Sequence, residues 1–113
     1  MVSHTLRIRE VDREIFKAIR DNKKTIETRA GSPRYSKIRK GDVLRFTCGK
    51  DSFERTVVSV NHYRTITALL KKYSFRDINP SITSPRELRE MYYKFPGYKE
   101  RISKFGILAW ELT

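Results

Sequence analysis

Asn22-Lys23-Lys24-Thr25-Ile26-Glu27-Thr28-Arg29 sets charges of both signs inside a segment that otherwise reads as a buried strand. Alternate side chains of a β-strand leave on opposite faces at roughly 3.3 Å per residue, so Glu27 and Arg29 share a face about 6.6 Å apart, within reach of each other's long ends. Lys24 stands where a preceding helix hands over to the strand. The pleat does not fix its direction there, and either face is open to it. A residue able to adopt positive φ is wanted just past a helix, and asparagine at position 22 is the next best after glycine. The segment reads as the floor of a pocket.

Working outward, Leu6 and Ile8 alternate with Thr5, Arg7 and Arg9, which predicts a half-buried first strand. Asp12 is the expected N-cap of the helix that follows, with Val11 and Phe16 at staple positions and Val11, Ile15 and Ile19 along one face to about Asn22. Beyond the motif strand, Ala30–Lys40 is read as a long loop carrying Tyr35 and the basic residues Arg34, Lys37, Arg39 and Lys40. Gly41-Asp42 then opens a hairpin, Val43–Cys48 followed by a strand from about Phe53 to Tyr63, turned at Gly49–Asp51. A helix is expected from Thr65 to about Tyr73, with Ile66, Leu69 and Leu70 on one side. Phe75–Thr83 reads as an irregular linker. Ser84-Pro85-Arg86-Glu87 is a capping box for a second helix that Pro96-Gly97 breaks. Tyr98–Lys104 is read as a short turn and Phe105–Leu112 as a closing strand, in which Trp110 alternates with Leu108 and Leu112 and belongs to the packing.

The chain of 113 residues has room for one core. Apolar residues are 38% of it and aromatics 12%, so the core leans on rings, as in a small barrel or a short sheet with helices. The net charge is +12, and Arg20–Arg45 alone holds nine basic and three acidic residues. Such a field attracts polyanions before any specific contact forms, although a merely solvated basic surface has the same composition. Cys48 is the single cysteine, and His4 and His62 are far apart, so neither a disulfide nor a metal site is expected. No stretch has the apolar length of a signal or a membrane span. A cytoplasmic monomer without metal, cofactor or membrane attachment is expected.

The spacing G-x-K-x-x-E-x-R resembles the signature of the ASCH domain, a small β-barrel related to the PUA domains that bind RNA. It is matched at Lys24, Glu27 and Arg29, with Asn22 in place of glycine. Arg39–Phe46 (R-K-G-D-V-L-R-F), Phe95–Tyr98 (F-P-G-Y) and Phe105–Leu112 (F-G-I-L-A-W-E-L) are similar to further segments of that family. The resemblance implies one ASCH (PUA-like) domain over residues 1–113. Its fold would be α+β, a barrel of about five to six strands with two to three flanking helices.

Three readings of function stand side by side. The first is an RNA- or nucleotide-binding module of RNA metabolism or translation regulation. Glu27, kept ionised by Lys24 and Arg29, would accept from the exocyclic amine of cytosine or the N–H edge of guanine. Tyr93 or Tyr98 would wall the pocket, and Arg34, Tyr35, Lys37, Arg39 and Lys40 would hold the nucleic-acid backbone. The second is a hydrolase, with Lys24 and Glu27 as its catalytic pair. Small ASCH proteins deacetylate acetylated cytidine with a lysine that corresponds to Lys24, and others are linked to RNA cleavage. In the deacetylating members a threonine stands at the position of Glu27, and their second acidic residue finds only Asp77 as a candidate. The third is a protein-interaction regulator whose charge serves solubility. As ion pairs go, Glu27–Arg29 is equally able to do no more than tie strands together.

Overall fold

The computed structural model describes residues 2–113. Five strands form one mixed sheet: β1 (Ser3–Arg7), β2 (Ile26–Ala30), β3 (Val43–Cys48), β4 (Asp51–Tyr63) and β5 (Ile107–Leu112), in the order β1-β3-β4-β5-β2. β1 runs parallel to β3 and every other pairing is antiparallel. The expected hairpin is β3–β4. β4 pairs β3 through Thr56 and β5 from Val57, and a register shift between Val57 and Ser59 marks the changeover. A bulge there bends and twists the strand, which curls the sheet into a half-barrel. The first two strands of the chain become its two edges.

Alternation along the strands sorts the core into two clusters. On β5, Ile107 and Ala109 pack with the helices through Ile66, Leu69, Leu88 and Tyr92. Leu108 and Trp110 face inside the half-barrel with Leu6, Phe16, Leu44 and Phe46. β2 follows the same rule. Glu27 is the register partner of Trp110, and Arg29 of Leu108, and directly paired residues point to the same side. The two charges therefore enter the half-barrel face, while Ile26 and Ala30 go to the helices.

The α+β half-barrel has the expected strand number but more helix than the two to three segments the sequence suggested. Among the described residues six are present: α1 (Arg13–Arg20), α2 (Pro33–Ser36), α3 (Ile66–Lys72), α4 (Phe75–Ile78), α5 (Pro85–Lys94) and α6 (Tyr98–Phe105). The loop read over Ala30–Lys40 contains α2, started by Pro33 at its first position. The linker over Phe75–Thr83 contains α4, whose cap Ser74 accepts from the Arg76 N–H. The turn at Tyr98–Lys104 is α6, entered through Gly97 at φ 75° and anchored by buried Ile102.

The start of the first helix also differs from expectation. Glu10–Asp12 form a 3-10 turn that leaves Val11 82% exposed. Asp12 spends its carboxylate on Arg9 at 3.0 Å instead of capping α1, which buries Phe16 and Ile19. At its other end Asn22 takes φ 60°, as read, and the Lys23 and Lys24 N–H groups turn back to the Ala18 carbonyl at 2.9 and 3.0 Å.

Candidate nucleotide-binding site

That wrap-back settles the direction of Lys24. Its ammonium is 4% exposed and donates to the carbonyls of Ile26 at 2.5 Å and Ile78 at 2.6 Å, with Glu27 Oε1 at 3.6 Å. Burial pushes the lysine below its ordinary pKa, with Glu27 pulling the other way. Two N–H bonds meet carbonyl oxygens and the Glu27 carboxylate lies just beyond hydrogen-bond distance, where an ammonium is favoured over the lone pair of a neutral amine.

Glu27 is 6% exposed, and its carboxylate is shared. Oε1 accepts from the Thr28 N–H at 2.9 Å, and Oε2 lies 3.7 Å from the Arg29 guanidinium. Burial works against the charge. Lys24, then Arg29 and the Thr28 N–H outweigh it and hold the carboxyl below the ordinary glutamate range. It is an acceptor at neutral pH. Arg29 is in turn seated over the ring of Tyr35, 5.6 Å from the centroid, with Arg34 also over that ring at 5.4 Å. On the opposite face of β2 the Thr28 hydroxyl bonds the Tyr92 hydroxyl, and burial raises the pKa of that phenol well above its ordinary value.

Lys24, Glu27, Thr28, Arg29 and Tyr92 line a cavity of about 350 Å³. Its wall comes from the end of β1, from β2 and from α4 to α6, including Asn79, Met91, Phe95 and Tyr98. Five basic side chains, Arg7, Arg9, Lys24, Arg29 and Arg101, face it together with the carboxylates of Glu27 and Asp12.

Of the residues singled out in the sequence, Lys24, Glu27, Arg29 and Tyr98 meet in this cavity. Tyr93 does not line it: one position round the helix from buried Tyr92, it is 49% exposed with Lys99 over its ring. Tyr35 is half-buried, edge-on to Trp110 and beneath two arginines, so it positions Arg29 instead of offering an open ring. Arg34, Lys37, Arg39 and Lys40 are exposed and stand outside the cavity wall. Asp77 is exposed and also outside it; its backbone carbonyl accepts from Thr25 at 3.1 Å. The sequence reading missed Tyr92, Arg7, Arg9 and Arg101 as wall residues. Tyr92 carried a signal, its spacing of four from Leu88, but that signal said only that it is buried.

No family model and no curated protein matches the chain. Solved structures do. The hypothetical protein PH0355 is 26% identical with a TM-score of 0.80, over 96% of this chain and 97% of that one. Protein PF0455 from Pyrococcus furiosus is 26% identical with a TM-score of 0.78, over 98% and 96%. ASCH from Zymomonas mobilis superposes with a TM-score of 0.66 at 15% identity, over 98% of this chain and 66% of that one. The chain has the ASCH fold. In this ASCH fold the motif residues Lys24, Glu27 and Arg29 form one connected ion-pair chain in the cavity floor. The Arg39–Phe46 segment leads into β3, and Phe95–Tyr98 carries the cavity wall from α5 to α6. Among the described residues no helix is long and apolar enough to cross a membrane, and no cluster of three metal-binding side chains occurs.

Proposed function

We propose that this PUA-like domain is an RNA- or nucleotide-binding module that takes one base into the cavity, in RNA metabolism or translation regulation. The supporting observation is a carboxylate that is buried, held ionised and placed in the cavity wall. Glu27 has Lys24 and Arg29 to keep its charge, and its acceptor capacity exceeds the single short hydrogen bond it receives. A volume near 350 Å³ lies at the lower end of the range of roughly 300–1,000 Å³ usual for small-ligand pockets. Glu27 accepts from the amine or N–H edge of the base, Arg29 donates to a neighbouring acceptor, and Tyr98 offers ring surface. The basic loop from Arg34 to Lys40 meets the backbone of a longer ligand by charge alone.

The test is calorimetry with short single-stranded RNAs of each base at several salt concentrations. Glu27→Gln weakens binding to cytosine- or guanine-containing ligands and leaves the salt slope in place. Arg39→Ala with Lys40→Ala flattens the slope for every sequence. Equal loss for all bases in both variants would show that no base pocket exists.

A further inference from the structure

Two arginines at the cavity have no role in holding its floor. Arg7, at the end of β1, and Arg101, on α6, are exposed and line the same cavity as Glu27, although 94 positions separate them in sequence. Among the described residues neither has a carboxylate within ion-pair distance, whereas their neighbour Arg9 is occupied by Asp12 at 3.0 Å. Arg29 is likewise engaged, by Glu27 and the ring of Tyr35. The cavity is thus polar and acceptor-bearing at its buried end and carries two unpaired guanidiniums where it meets solvent. A guanidinium matches a phosphate with parallel N–H bonds, and an unpaired one gives up only water to do so.

We propose that Arg7 and Arg101 hold the phosphate of the same ligand unit whose base enters the cavity, so the ligand is a nucleotide and not a free nucleoside. This rests on the base-binding reading above. It moves the nearest phosphate contact from the Arg34–Lys40 loop to the edge of β1 and the face of α6. The two groups come from separate elements, β1 and α6, and are exposed where Glu27 is buried, so the ligand's orientation is base inward, phosphate outward.

The experiment is titration of the whole chain with adenosine, guanosine, cytidine and uridine, with the 3′- and 5′-monophosphates of each, and with a tetranucleotide of the preferred base. The readout is the ratio of monophosphate to nucleoside affinity for one base. That ratio is expected to be about tenfold or more, the worth of one charge-assisted contact pair, and to collapse toward one in Arg7→Gln with Arg101→Gln. Lys71→Gln with Lys72→Gln removes the same formal charge from exposed positions on α3 and keeps the ratio, which separates a local clamp from the overall field. A tetranucleotide that binds tighter than either monophosphate makes the clamped group an internal RNA phosphate; equal affinity makes it the phosphate of a free nucleotide. A ratio near one in the parent protein, or one that survives the arginine substitutions, overturns the clamp and leaves the base pocket standing. Failure of every nucleoside and nucleotide to bind overturns both.

Discussion

The Nζ of Lys24 lies 2.6 Å from the carbonyl oxygen of Ile78, 54 residues further along the chain, and this contact ties the start of β2 to α4. Lys24 is therefore a buried crosslink as well as the counter-ion of Glu27. Replacing it with methionine keeps the volume and leaves the carboxylate with Arg29 alone. Removing one partner of a buried pair costs about 3–5 kcal/mol, mostly for the charge left behind. Lys24→Met is expected to lose that much in urea unfolding, and Lys24→Met with Glu27→Leu to lose clearly less than the sum of the two single changes. Additive losses would mean that the two residues act independently.

Glu27 also sets an acid limit on stability. Its pKa is below the ordinary 4.5 in the fold and near that value when unfolded. Its contribution is thus complete above the unfolded value and is lost as pH falls through the folded one. Glu27→Gln should be less stable than the parent at pH about 7, and the gap should narrow as pH falls toward about 3. Urea midpoints across that range measure it. Asp42, held low by His4 and the Arg39 N–H, and Glu111, held low by the Tyr73 hydroxyl, leave some acid sensitivity in the variant. A gap that stays constant or widens in acid would assign the carboxylate no native-state ionisation advantage.

Tyr98 and Tyr93 stand five positions apart with opposite fates, and substitution separates them. Tyr98 lines the cavity beside Arg29, while Tyr93 is exposed outside it. Tyr98→Leu is expected to cost about 1–3 kcal/mol in ligand binding, the worth of a base stacked on an aromatic ring. Tyr93→Leu should change binding by less than about 0.5 kcal/mol. Calorimetry on both variants checks this, with thermal unfolding to confirm that Tyr98→Leu still folds.

These residues also show what a sequence can and cannot disclose. The hairpin, the face shared by Glu27 and Arg29, and the positive φ of Asn22 follow from period-two alternation and local backbone preference. The direction of Lys24 does not, because its second acceptor belongs to Ile78, in a segment that looked irregular. Yet Ser74-Phe75-Arg76-Asp77 is a cap signal for α4, and Tyr98, Ile102 and Phe105 fall at helical spacing in α6. Against them, nearby Pro80 favours a linker over α4 and Pro96-Gly97 a turn over α6. Arg7 and Arg101 share a cavity although β1 and β2, the strand that α6 packs against, are the two ends of the strand order. No spacing in the chain encodes that.

Turnover distinguishes binding from hydrolysis. A lysine that serves as base or nucleophile needs a free lone pair, and the surroundings of Lys24, two carbonyl acceptors and a carboxylate 3.6 Å away, favour an ammonium instead. Glu27, held ionised, cannot act as a general acid, and Asp77 stands outside the cavity. Purified protein incubated with acetylated cytidine and other acylated nucleosides is therefore expected to release no more product than buffer, followed by chromatography. Product that appears with the parent protein and disappears with folded Lys24→Arg, which keeps a cation in place, would show that the amine leaves its carbonyl partners during reaction. The domain would then be an amidohydrolase in which Glu27 takes over the activation of water.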